Sequence, residues 1–200
     1  MKNDMGLSQR IPPKYELAGH WHINLKGRAL VVTSISAVLV FGLTMILGFI
    51  IRGSLRGHFE WQFDLLLFPI VLGVFVALII LHEAVHGVLF LVLGGKPRFG
   101  VKLVGRFFPV ALYATSRKPF FRNQYLLISL APFFTLTLVF LVTSILANAD
   151  GIAALAVVAM AINASGSIGD LLAAWRIRRH GRSVLFEDTE DGFNWYVSSS

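Results

Sequence analysis

The chain contains no cysteine. Disulfides and thiolate zinc sites are therefore excluded, and any strong metal site must be built from His, Asp and Glu. Charge is also scarce: 14% of the 200 residues are Asp, Glu, Lys or Arg, against 56% hydrophobic, and the mean hydropathy is +0.70. That balance is foreign to a water-soluble domain of this length and typical of a polytopic membrane protein. The polar segment from Met1 to Lys26, with Pro12 and Pro13, lacks the short apolar core and small-residue cleavage site of a signal peptide. The first spanning helix is then expected to act as the insertion signal. Internal repeats are not evident, and low complexity is confined to Ser198-Ser199-Ser200.

What the chain has is long apolar runs. Four segments, about residues 29–51, 63–93, 125–147 and 152–175, exceed the ~20 residues needed to cross a ~30 Å hydrocarbon core. Asn163, Ser165, Ser167 and Asp170 interrupt the fourth, as expected of a helix that faces protein rather than lipid. The expected fold is an all-α membrane protein with four transmembrane helices. Its cytoplasmic N-terminal segment would be residues 1–28, its helical domain 29–175 and its cytoplasmic tail 176–200.

The net charge is +7, and of the 18 Lys and Arg all but Arg52 and Arg56 fall before the first span, between the second and third, or in the tail. The positive-inside rule then puts both termini of a multi-pass cell-membrane protein in the cytoplasm. The basic residues follow membrane boundaries, not one face of a soluble domain, so nucleic acid is not an expected partner. The loop from Gly94 to Asn123 carries Lys96, Arg98, Lys102, Arg106, Arg117, Lys118 and Arg122 with no acid. Its β-branched, aromatic and glycine-punctuated sequence predicts a short β-hairpin over about residues 95–120. Such a hairpin either offers a strand edge to an extended peptide or anchors to anionic lipid. In the tail, Arg176, Arg178, Arg179 and Arg182 form a basic anchor. Glu187, Asp188, Glu190 and Asp191 carry no assignable chemistry and are expected to be solvated.

The chemistry concentrates in His82-Glu83-Ala84-Val85-His86-Gly87, inside the second apolar run. Ionisable groups at that depth cost at least ~2.5 kcal/mol each, so they call for a function. Residues four apart share a helical face, which lets both imidazoles reach one Zn²⁺ while Glu83, offset by about 100°, stands beside it as a base. A catalytic zinc usually takes a third protein ligand and leaves a position for water. Asp150 and Asp64 fall toward the opposite side, and His20, His22, His58, Glu60 and His180 lie outside the spans. Asp170, near the cytoplasmic end of the fourth helix, remains. Asn163, two turns before it, and Ser167 are candidate substrate or oxyanion contacts, or polar glue between helices.

The arrangement resembles the site-2 protease class of intramembrane zinc metalloproteases, and more closely the DUF3267 family of membrane zincins. The matching motifs are His82-Glu83-Ala84-Val85-His86-Gly87 and Ser167-Ile168-Gly169-Asp170, and the likeness spans about residues 60–175. The resemblance implies that His82, His86 and Asp170 bind one zinc ion and that Glu83 is the base. The chain departs from the usual site-2 pattern in having Gly169 before Asp170, Leu171 after it and no nearby Pro, and in having no room for a regulatory domain. The expected function is hydrolysis of peptide bonds in membrane or membrane-associated proteins by a zinc-activated water with Glu83 as general base. A non-catalytic metal-binding scaffold and a small cation transporter are the alternatives. The substrate and oligomeric state are not legible.

Overall fold

The computed structural model describes residues 11–23, 27–57, 68–104, 108–189 and 192–199, and the side chains at 102–111 are outside that description. The expected start of the second span at 63–67, together with His58, Glu60, Asp64, Glu190 and Asp191, lies outside the described residues. The elements run β1 (Tyr15–His22), α1 (Gly27–Arg56), α2 (Phe68–Val92), β2 (Pro97–Val104), β3 (Phe108–Ser116), β4 (Phe120–Phe121), α3 (Arg122–Leu146), α4 (Asp150–Gly166), α5 (Ile168–Ile177), β5 (Leu185–Thr189) and β6 (Gly192–Ser198). Three helices are long and apolar enough to cross a membrane, or four if α4 and α5, bent by 44°, count as one span. The chain is mostly helical as expected, and β2 and β3 pair antiparallel where the short β-hairpin was expected between the second and third helices. The all-α class needs one correction: the chain also forms a four-stranded antiparallel sheet in the order β1-β6-β5-β4.

The chain divides into two compact units, with three of the four divisions falling inside α2, α3 and α5. One unit comprises Met1–Ile23, Glu83–Ala131 and Asp170–Ser200. Its core is aromatic: Phe90, Phe120, Tyr125, Ile128, Ile177, Val184, Phe186 and Phe193 are buried together. Tyr125 stacks on Phe186 and meets Phe193 edge-on, geometries that the ring quadrupole favours. The tail is thus not a solvated segment. Leu185-Phe186 and Phe193 dock it into this core, and β6 pairs with β1 from Tyr15↔Ser198 to His22↔Gly192. Glu187 is buried and accepts the Tyr196 hydroxyl at 2.7 Å, which meets the rule that a buried polar group needs a partner.

The other unit comprises Asn24–His82 and Pro132–Gly169. Here α1 packs on α4 through small residues. Ala153, Ala154, Ala156, Ala159, Ala161 and Ala164 are buried, and a Cβ on Gly48 would stand 2.7 Å from Met160 Cε. Small side chains let two helix backbones approach closely. Outward-facing positions are large and apolar, with Val38 69% and Leu39 67% exposed. At the end of α1, buried Arg52 donates to the Ala147 carbonyl at 3.2 Å and to Asp150 Oδ1 at 3.4 Å, and Arg56 donates to Asn148 Oδ1 at 2.9 Å. These bonds cap the Ala147 carbonyl just past α3 and tie the Asn148 and Asp150 side chains of the turn into α4 to the end of α1.

Candidate metal centre

Helix α2 carries His82, Glu83 and His86, all with helical backbone. The imidazoles sit one turn apart, and each has its Nδ1 engaged. His86 Nδ1 lies 3.0 Å from the carbonyl oxygen of Ile128 on α3. A carbonyl can only accept, so Nδ1 carries the hydrogen and Nε2 is left with a lone pair for a metal. The reason this carbonyl is available is Pro132, four residues on inside α3. Proline has no N–H to close the i→i−4 bond, which frees the Ile128 oxygen for His86.

His82 is oriented by Asn163. The Asn163 amide donates to the Pro132 and Phe133 carbonyls at 3.3 and 3.4 Å and lies 3.2 Å from Thr137 Oγ1. Those contacts fix which end of the amide points where, so Oδ1 faces His82 Nδ1 at 3.3 Å and accepts its hydrogen. With Nδ1 as the donor, Nε2 is the His82 nitrogen suited to a metal. Ser167 sits beyond the end of α4, fully buried, with both its N–H and its Oγ directed to the Asn163 carbonyl, at 3.0 and 2.8 Å. A serine that bonds back to the i−4 carbonyl bends a helix, which accounts for the break between α4 and α5. The break places Asp170 in the first turn of α5, where the helix dipole favours a carboxylate.

Asp170 Oδ1 stands 3.5 Å from His86 Nε2. One ligand atom from each of His82, His86 and Asp170 lies within 4.8 Å of the others. Bonds of ~2.0–2.1 Å in a tetrahedron put ligand atoms about 3.3 Å apart. The His86–Asp170 separation is already close to that, and a two-His, one-carboxylate donor set suits zinc. The residues present therefore fit the ion. The Asp170 side chain keeps 26% exposure, so the carboxylate side of the group is not sealed.

Glu83 is not among these ligand atoms. Its Oε2 accepts the Ala114 N–H of β3 at 2.6 Å. The hairpin also lies close at Gly87: a Cβ there would clash with the ring of Phe99, which pairs with Ala114 across β2-β3. Gly87 is thus a docking point for the hairpin on the helix that bears Glu83 and His86.

Sequence reasoning missed the contribution of the tail. Asp188 on β5 accepts the hydroxyl of buried Tyr125 through Oδ1, and its backbone carbonyl accepts Thr115 Oγ1 at 3.4 Å. Desolvation raises its carboxyl from the ordinary 3.8 to about 7, against the opposing effect of its hydrogen bonds. The residue keeps some surface, but its carboxyl end reaches in to Tyr125, in the first turn of α3, the helix whose Ile128 carbonyl holds His86.

Residues 75–185 match a family model, DUF3267, described as "Putative zincin peptidase". The chain belongs to this family. No curated protein and no solved structure matches it. The matched stretch holds His82, Glu83, His86, Asn163, Ser167 and Asp170, while Asp188 and β6 lie beyond it. For a DUF3267 chain, the family description implies a metallopeptidase in general terms and zinc as its metal, and the His82–His86–Asp170 group is a donor set of that kind.

Proposed function

We propose that the chain is a membrane-embedded zinc metallopeptidase that hydrolyses peptide bonds of membrane or membrane-associated proteins. His82, His86 and Asp170 are its zinc ligands and Glu83 its general base. The observation that carries this reading is the approach of one ligand atom each from His82, His86 and Asp170 to within 4.8 Å of one another, with Nδ1 of both imidazoles engaged by Asn163 and Ile128 so that Nε2 is the nitrogen suited to a metal. An ion bound there supplies Lewis-acid polarisation of the scissile carbonyl and a nucleophilic water near neutral pH. Glu83 takes a proton from the attacking water and returns it to the departing amine nitrogen. The Ala114 N–H holds the Glu83 carboxylate in one orientation for both transfers. Asn163 is assigned to orienting His82 and Ser167 to setting the break before Asp170, in place of direct substrate contact.

Topology supports the membrane reading. Strands from before α1, from between α2 and α3, and from after α5 share one sheet. Segments in one sheet lie on one side of a bilayer, so an even number of crossings must separate them. That is met by α1 with α2, and by α3 with the bent α4–α5 pair. With all but Arg52 and Arg56 of the basic residues on the sheet side, that side is the cytoplasm.

The test is zinc content and peptide cleavage by the detergent-purified protein, wild type beside Glu83→Gln and His86→Ala. Wild type should hold about one zinc, as a single three-ligand site requires. Glu83→Gln should keep the metal and lose roughly 10²–10⁴-fold in cleavage, whereas His86→Ala should lose both. A metal-binding scaffold or a cation transporter has no cleavage to lose. A tenth of wild-type cleavage surviving in Glu83→Gln would remove Glu83 from the role of base.

A further inference from the structure

Beyond the end of α2 the chain turns through Gly94, at φ +77°, and enters β2, while the end of β3 runs back alongside it toward Pro119. Between these stretches lies a cavity of about 370 Å³ lined by Gly94, Gly95, Lys96, Arg98, Ser116, Arg117, Lys118 and Pro119. It sits at the small end of the ~300–1,000 Å³ range of ligand pockets. The floor is built for close approach: a Cβ on Gly95 would stand 2.8 Å from Ser116 Oγ and 3.0 Å from the Phe90 carbonyl oxygen. Four cations surround the space. Lys118 caps the end of α2, its Nζ donating to the Leu93 carbonyl at 2.5 Å, and its charge stays beside the cavity. Among the described residues no carboxylate pairs with Lys96, Arg98, Arg117 or Lys118, and residues 94–123 contain no acid at all.

Like charges gathered around one concavity repel unless an anion joins them, and arginine forks match the oxygens of a phosphate. The location narrows the source. The apolar outer surface of α2 runs to its last residues, Leu91 at 59% and Val92 at 74% exposure, and Phe99 and Val101 on β2 are exposed beside the basic positions. The cavity therefore opens where a hydrocarbon-facing surface gives way to basic side chains, the depth at which lipid phosphates sit.

We propose that this cavity binds the phosphate headgroup of an anionic phospholipid, with Arg98 and Arg117 as its principal contacts and Lys96 and Lys118 completing the charge. The proposal rests on the membrane reading above and is independent of zinc and of Glu83.

The test uses full-length protein in nanodiscs of phosphatidylcholine containing a minority of phosphatidylglycerol, with retained lipid read by native mass spectrometry. Wild type should keep phosphatidylglycerol preferentially. Removing two cations by Arg98→Gln with Arg117→Gln should weaken that retention about thirtyfold. The equally large charge loss of Arg176→Gln with Arg178→Gln, at exposed positions on the other basic segment, should leave it unchanged. All four positions are exposed, and a thermal melt of each variant checks that the fold is intact. Equal losses in the two double variants would mean diffuse surface attraction and overturn the proposal. Displacement of the lipid by inorganic phosphate at low concentration would reassign the cavity to a soluble phosphate and overturn the lipid assignment. Insertion without any lipid preference would sink this proposal alone, whereas failure to insert in any nanodisc would sink the membrane reading with it.

Discussion

Asp188→Asn isolates what the tail contributes near the metal centre. The carboxyl is raised from 3.8 to about 7, first by desolvation and only partly offset by the hydrogen bonds from Tyr125 and Thr115. A group whose pKa is higher folded than unfolded binds its proton more tightly in the native state, so the native state is favoured below the unfolded value. For Asp188 the burial penalty is absent below about pH 4, grows as pH rises from 3.8, and is fully present above about pH 7. At 1.36 kcal/mol per pH unit the ceiling is on the order of 4 kcal/mol. The residue's remaining surface admits water, so the effect should be about half of that. Asparagine has no charge to desolvate, and its Oδ1 still accepts the Tyr125 hydroxyl. At pH 8 the Asp188→Asn protein should therefore melt several degrees above wild type, at ~2–4 °C per kcal/mol for a chain of this size. At pH 4 the two should melt together. His86 and Asp170 act electrostatically on Asp188, so the difference between the melting curves reports Asp188 together with its coupling to those two groups. The measurement is differential scanning fluorimetry in detergent with chelator present, from pH 4 to 8. Parallel wild-type and Asp188→Asn curves over that range would refute the claim that a buried, costly carboxylate stands at this place.

Two further outcomes follow from neighbouring contacts. Asn163→Ala removes the acceptor that holds His82 Nδ1–H and should weaken zinc binding roughly 10–100-fold in a chelator competition; unchanged affinity would show that His82 needs no such support. Gly87→Ala introduces a Cβ that clashes with the Phe99 ring, which must move. It should destabilise by ~1–3 kcal/mol, less whatever alanine's better helix propensity returns, and Phe99→Ala in the same chain should abolish the cost in a double-mutant cycle.

The helices were legible because apolar runs longer than twenty residues stand out in a sequence. The expected 29–51 and 125–147 lie largely within Gly27–Arg56 and Arg122–Leu146. The His82 to His86 spacing was legible for the same reason, since polar groups at that depth stand out. The fourth span was expected as one run over about 152–175, and the bend before Asp170 departs from that, although Ser165-Gly166-Ser167 is the kind of local sequence that allows one. The sheet was missed for a different reason. Its register joins Tyr15 to Ser198 and Phe120 to Phe186, and long-range pairing leaves little local trace. One signal was available: Asp191-Gly192 between two stretches rich in aromatics is a hairpin pattern. The acidic run masked it, because Glu187 and Asp188 read as solvated until Tyr196 and Tyr125 are seen to meet them. Backbone partners such as the Ile128 carbonyl and the Ala114 N–H have no identity in a sequence, although Pro132 hinted at the first.

The order β1-β6-β5-β4 places the last strand of the chain in the interior of the sheet and the first at its rim. During synthesis β1 must wait, unpaired, for more than a hundred residues before its neighbour emerges. A cut that removes β6 would therefore release both ends at once: among the described residues β1 would lose its one partner strand in the sheet, and β5, with Asp188, would be left bordered by the two residues of β4.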